Sequence, residues 1–199
     1  MEEITCDELV ETISTLDCLE QINWIHFEGR IPDVLYAAIP QIRSIFPQAT
    51  LSIEFEKPNR LGLMDLLPFT DVAFFSHSFF STFQSELTDL HHPSAADCFF
   101  QEMRKRNGKS VFLVTVGNGG AMYCTTEGQD SAPTSRVEVV DATGAGDTFI
   151  AGFVWARGKL GRKMRQSVEM AVALATTKVA QEGFDRVWES LGGMETSHS

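Results

Sequence analysis

The chain has 199 residues, of which 43% are hydrophobic and 22% charged; this is an ordinary folded-protein balance, with length for one sizeable core and little room for two complete domains. A formal charge of −11 argues against a nucleic-acid partner, whose phosphates need a basic surface, and no apolar run approaches a membrane span. Cys6, Cys18, Cys98 and Cys124 are far apart and form no CxxC pair, which disfavours a zinc cluster or a disulfide framework, and the acidic start Met1-Glu2-Glu3 lacks the order of a secretory signal, so a cytoplasmic home is expected.

In chain order, residues 22–27 (INWIHF) predict a strand, and a helical stretch follows from about Val34 to Phe46, with Pro40 either kinking it or marking its true first turn. Leu51, Ile53 and Phe55 alternate with Ser52 and Glu54, the period of a half-buried strand. Residues 71–75 (DVAFF) read as a short strand. His91-His92, before Pro93, reads as a loop. Ser94 opens a helix running to Arg106, with Asp97 placed to support the first turn. Residues 110–116 (SVFLVTV) form the strongest strand pattern, apolar on both faces. Gly117-Asn118-Gly119-Gly120 is a turn into a hairpin partner at 121–125. Polar residues 126–135 predict a loop, 136–140 a strand, and 147–157 a helix. A last helix spans about Met164 to Gln181, with Met164, Val168, Ala171, Ala175 and Val179 on one stripe. This alternation predicts an α/β fold, a mainly parallel sheet with helices on both faces. Residues 1–191 are expected to form one domain and 192–199 a disordered tail.

The segment 139–152, VVDATGAGDTFIAG, carries the chemistry. A strand runs into a turn with two glycines, and a helix begins near Gly146. Gly144 and Gly146 allow close approach of a ligand, and the amides of Ala145, Gly146 and Asp147 point out of the positive helix start, a ready anion site. An isolated Asp147 would be an ordinary first-turn carboxylate favoured by the dipole. Directly after Gly144-Ala145-Gly146 it reads instead as a general base for a hydroxyl beside a phosphate. The acidic net charge is no obstacle, because such a pocket relies on local amides.

Asp141-Ala142-Thr143-Gly144-Ala145-Gly146-Asp147-Thr148-Phe149, followed by Ala151-Gly152, resembles the second signature of the ribokinase-type (PfkB) carbohydrate kinases. The resemblance implies a ribokinase-like fold, with Asp147 as catalytic base and Gly144, Ala145 and Gly146 as anion hole. No GxxxxGK[ST] segment is present, so the ordinary P-loop is excluded. Residues 24–30 (WIHFEGR), 54–58 (EFEKP) and 182–185 (EGFD) are similar to stretches of the ketohexokinases within that family, and the matches run in order over about residues 20 to 188.

The resemblance also implies ATP and Mg2+ as cofactors, with a monovalent cation such as K+ in some relatives. Residues 115–121 (TVGNGGA) are similar to the family's nucleotide loop, which suggests Thr115, Gly117, Asn118 and Gly120 beside ATP; a plain hairpin turn is the ordinary alternative. Ala175, Thr176 and Val179 would face the adenine, or simply pack the helix. Glu56 or Glu28 would help hold magnesium through water, unless they are only solvated carboxylates. Asp141 and Thr143 resemble the monovalent-cation positions. The N-x-x-E metal motif of many members has no counterpart at Phe75-Ser76-His77-Ser78-Phe79. The expected partners are a small sugar and ATP, with no nucleic acid or membrane and with a homodimer left open. Transfer to a ketohexose such as fructose is implied, and ribose, adenosine or another small sugar stays open. Members carry a sugar-binding and lid region upstream of the WIHFEGR equivalent, and this chain is expected to lack it. Activity of the chain alone is therefore in question, with a non-catalytic protein that binds nucleotide or a partner as the alternative, and a fragment that does not fold alone as a third.

Overall fold

A computed structural model describes residues 3–16, 19–86 and 94–188. Cys18, the His91-His92 loop and the expected tail 192–199 lie outside the described residues. The chain divides into two compact units, Met1–Val114 with Tyr123–Gly128, and Thr115–Met122 with Gln129–Ser199.

The first unit opens with α1 (Cys6–Ser14), an element the sequence reading did not assign. Thr5 and Glu8 cap it reciprocally. The Glu8 carboxylate accepts from the Thr5 amide at 2.8 Å, and the Glu8 amide donates to the Thr5 hydroxyl. That T-x-x-E spacing was the available signal. Next come β1 (Trp24–Glu28), α2 (Pro32–Ile45), β2 (Thr50–Phe55), β3 (Val72–Phe75), α3 (His77–Glu86), α4 (Ala95–Arg106) and β4 (Val111–Thr115). The strands β1 to β4 pair in parallel, with Phe27 opposite Ile53, Ile53 opposite Ala73 and Ala73 opposite Phe112. All four residues of β3 are buried, as expected of a strand covered on both faces. Ser94 caps α4 by accepting from the Asp97 amide, as the sequence indicated.

Two expectations in this unit are corrected. The α2 helix begins at Pro32 and passes through Pro40 without ending. Pro32 is well suited to a helix start because its fixed φ is helical and its missing N–H is not needed there. Pro40 and Tyr36 both lie on the exposed face, where water can satisfy the Tyr36 carbonyl that loses its helical donor. The β2 strand is not half solvent-facing, since Ser52 is as buried as its apolar neighbours. Its hydroxyl accepts from the Trp24 indole N–H at 2.8 Å and lies 2.8 Å from His26 Nδ1. A polar residue in an alternating strand is therefore interior here because β1 supplies its partners.

Two further strands, β5 (Ala121–Thr125) and β6 (Gly128–Ala132), complete a six-stranded sheet in the order β1-β2-β3-β4-β5-β6. The expected 126–135 loop is thus partly a strand. It is an edge strand, and four of its five residues are exposed, so its polar composition conceals the backbone pairing that defines it. The expected strand at 136–140 is absent. Val137, Val139 and Val140 are exposed, and the Val140 amide donates to Val179 O at 2.7 Å rather than to a neighbouring strand.

The second unit is built on α5 (Ala145–Val154), which continues as a π-helical turn at Trp155–Lys159, and on α6 (Met164–Val179). Phe149 and Phe153 bury the inner face of α5. On α6 the buried residues are Ser167, Val168, Met170, Ala171, Val172, Leu174 and Lys178, while Met164, Ala175 and Val179 of the expected stripe are only half-buried. A fully buried lysine on this face was not anticipated.

Candidate active site

The turn before α5 is held by a chain of local bonds. The amides of Val140 and Asp141 both donate to Val179 O, at 2.7 and 3.2 Å, which docks the incoming chain on the end of α6. Asp141 then folds back on itself: its carboxylate accepts from the Thr143 amide at 2.9 Å, an Asx-type turn. The other carboxylate oxygen accepts from Lys178 Nζ at 2.8 Å, and Lys178 Nζ also donates to the Asp141 carbonyl at 3.1 Å. Gly144 is the N-cap with φ 74°, a left-handed conformation that a side chain would strain. Its carbonyl accepts twice from Thr148, through the amide at 2.9 Å and the hydroxyl at 2.8 Å.

The result is a helix start with exposed Gly146 and Asp147 in its first turn, where amides have no helical acceptor. Ala145 differs from expectation. Its amide donates to Ala142 O at 3.2 Å, closing the turn, so the donors at this helix start are chiefly those of Gly146 and Asp147. The Asp147 side chain is exposed and not folded into the core. The ring of Phe184, in the EGFD segment, lies against Gly144, where an added Cβ would sit 2.6 Å from Cζ.

The Lys178 hydrogen bond, and after it the Thr143 amide, hold the Asp141 carboxyl well below the usual carboxylate range. A group depressed on folding contributes stability in full above its unfolded value of about 3.9, and loses it as the pH falls toward the folded value. Urea unfolding of wild type and Asp141→Asn should therefore show a gap at about pH 7 that narrows by about pH 3. A gap independent of pH would show that the carboxylate charge carries no stability.

The nucleotide-loop candidates belong to the same unit. Thr115 ends β4, and Gly117–Gly119 form a single 3-10 turn. The loop is closed by the Val116 amide on Gly120 O and by the Gly120 amide on Gly117 O, both at 2.9 Å. Gly117 and Asn118 are exposed, and Gly120 is buried against the backbone of residues 132–134. Thr134 of that segment shares a 2.6 Å hydroxyl contact with Thr176 of α6. The Thr176 hydroxyl also donates to Val172 O. The 132–134 segment thus touches both Gly120 and Thr176, while Ala175 and Val179 remain half-exposed beside them on the helix.

The magnesium candidates belong to the first unit. Glu28 ends β1 and is exposed, and Glu56 follows β2 with its carboxylate paired to Lys57 at 2.9 Å. Among the described residues no three His, Cys, Asp or Glu side chains gather as a metal-ligand set. For the monovalent-cation candidates, Asp141 has both its carboxylate and its carbonyl engaged by an ammonium group. Sequence reasoning missed Lys178, Thr148 and Thr134. For Lys178 a signal existed, a lone lysine continuing the apolar row Val168, Ala171, Leu174.

The description "pfkB family carbohydrate kinase" matches residues 7–190, nearly the whole chain. The chain belongs to this family. Within the PfkB family it is similar to ketohexokinase of Mus musculus, 29% identical over 180 residues, which are 85% of this chain and 56% of that protein. It is also similar to the aminoimidazole riboside kinase of Salmonella typhimurium, 42% identical over 48 residues, 24% of this chain and 15% of that one. Among solved structures, ribokinase from Giardia lamblia superposes with a TM-score of 0.74 at 15% identity, covering 96% of this chain and 64% of that one. A ribokinase II from E. coli solved with ATP and Mg2+ gives 0.71 at 21%, covering 96% and 63%. These structures establish the ribokinase-like fold. The chain spans just over half to about two thirds of the length of mouse ketohexokinase and these solved relatives. No helix among the described residues is long and apolar enough to cross a membrane.

Proposed function

We propose that this chain is the nucleotide-handling and phosphoryl-transfer part of an ATP-dependent sugar kinase acting on a ketohexose such as fructose. The observation that carries the reading is the placement of an exposed Asp147 carboxylate in the same helical turn as the amides of Gly146 and Asp147. Asp147 takes the proton from a sugar hydroxyl. The oxygen so activated forms a bond to the γ-phosphorus of ATP, the bond to the β–γ bridging oxygen breaks, and ADP leaves. The first-turn amides and the positive helix end stabilise the negative charge on the transferring group. Thr115, Gly117, Asn118 and Gly120 are proposed to line the nucleotide, with Ala175, Thr176 and Val179 toward the adenine.

Magnesium is supported by oxygen-donor chemistry. It commonly keeps several waters and uses one or two carboxylates plus phosphates, so it needs no dedicated cage. Glu28 and Glu56 are the proposed carboxylates, and the ion would supply charge neutralisation on the phosphates. The E. coli ribokinase II that was solved with ATP and Mg2+ supports the use of ATP together with Mg2+. The ketohexose assignment rests on the likeness to mouse ketohexokinase, while deoxyribokinase and fructokinase relatives keep neighbouring sugars in view. A second reading is nucleotide binding without turnover, in which the first-turn amides of α5 hold phosphates and Asp147 takes no proton.

One experiment separates them. The purified chain is incubated with MgATP and fructose, ribose or adenosine, product is detected by mass spectrometry, and nucleotide affinity is measured by calorimetry. Fructose phosphate supports the first reading and binding without product the second. Neither binding nor product contradicts both.

A further inference from the structure

We infer that Lys178 is a built-in counter-ion of the phosphate-binding turn, a positioning residue whose ammonium does there what a bound monovalent metal ion would otherwise do. Lys178 is wholly buried, the only charged residue in the core among those described. A buried ammonium is stable only if its charge and donors are met. Here they are met by one residue, since Nζ donates to the Asp141 carboxylate at 2.8 Å and to the Asp141 carbonyl at 3.1 Å. The Phe184 ring closes the remaining side, with its centroid 4.9 Å from Nζ.

The consequence reaches the helix start through short steps. The carboxylate that Lys178 neutralises also receives the Thr143 amide, and the carbonyl of the following residue, Ala142, receives the Ala145 amide. Those two bonds deliver the chain to Gly144 and α5 in the orientation that exposes Gly146 and Asp147. The same Phe184 ring that faces Nζ lies against Gly144. One cation thus anchors the two sides of the turn.

A monovalent metal ion does not fit alongside. Its expected ligand Asp141 has both oxygens facing Lys178 already engaged, and a second positive charge within a few ångströms would be repelled. The residues present therefore disagree with a potassium site, and the chain is expected to be indifferent to potassium where a metal-dependent relative would not be.

Thermal unfolding of the full chain in KCl, NaCl and choline chloride at equal ionic strength tests this without needing turnover. A failure of the kinase reading would leave the result intact, and the reverse also holds. Wild type should melt at the same temperature in all three salts. A specific site filled to ten times its dissociation constant would raise the melting temperature by roughly 3–6 °C, and such a rise confined to KCl overturns the inference. Lys178→Ala should melt roughly 5–10 °C lower and recover part of the loss in ammonium or potassium chloride but not in choline chloride. Lys178→Met, which keeps most of the volume without the charge, should show the same loss with less rescue. A Lys178→Met protein as stable as wild type would overturn the inference by showing that only packing matters. Should Lys178→Ala fail to fold, the wild-type comparison and Lys178→Met decide between the outcomes.

Discussion

Gly120→Ala should lower the stability of the chain by about 3–5 kcal/mol, read as a fall of roughly 6–15 °C in melting temperature. Two effects add at this position. Gly120 has φ 84° and ψ −124°, a conformation essentially closed to residues with a Cβ. A Cβ there would also sit 2.8 Å from the Thr134 amide nitrogen and 2.9 Å from the Pro133 carbonyl carbon. Those are backbone atoms, which cannot swing aside as a side chain can. Gly117 is the internal control, because its φ is 55° but nothing lies within 4 Å of an added Cβ. Gly117→Asn should cost under about 1 kcal/mol, since asparagine tolerates the left-handed region. Equal losses for the two variants would mean that the close approach to residues 132–134 contributes nothing. Because that segment also carries Thr134, which meets Thr176 of α6, the Gly120 variant should loosen the proposed nucleotide side as well.

On the proposed function, Asp147→Asn should lower phosphoryl transfer by roughly 10²–10⁴-fold, the range of a positioned general base. Nucleotide affinity should stay within about three-fold or improve, because a negative charge is removed beside bound phosphates. Asparagine preserves the shape and suits a helix start, so stability should change by less than about 0.5 kcal/mol. The combination is diagnostic. A residue that merely favoured the helix dipole would lose a little stability and no turnover, whereas a base loses turnover alone. Asp147→Ala should show the same kinetic loss, and full activity in either variant would remove Asp147 from the chemistry.

The interior of the sheet was legible because burial on both faces leaves apolar runs; β3 and β4 are such runs, and Ser94 with Asp97 marked the start of α4. What escaped notice depended on partners distant in sequence. The edge strand β6 looks like a loop because pairing with one neighbour leaves polar side chains outward. Residues 136–140 look like a strand, yet the Val140 amide goes to the end of α6, which no local pattern records. Ser52 and Glu54 gave the period of a solvated face, but Trp24 and His26 turn Ser52 into an interior hydrogen-bonded group.

The candidate site shows the same division. The order of glycines and carboxylate from Gly144 to Asp147 was readable because these residues are consecutive at one helix start. The use of the Ala145 amide by Ala142 was not, since it depends on how tightly that turn closes. Lys178 offered only a break in an apolar row, because its partner Asp141 lies 37 residues away and a lysine is buried only where such a partner waits.

The most direct measurement is a titration of the isotope-labelled chain with the magnesium complex of a non-hydrolysable ATP analogue, followed by backbone amide chemical shifts. With the phosphates seated on the start of α5, the largest changes should fall on Gly146 and Asp147, with smaller ones at Gly144 and Thr148. Saturable binding that leaves those amides unmoved while others shift would place the nucleotide elsewhere and contradict the account.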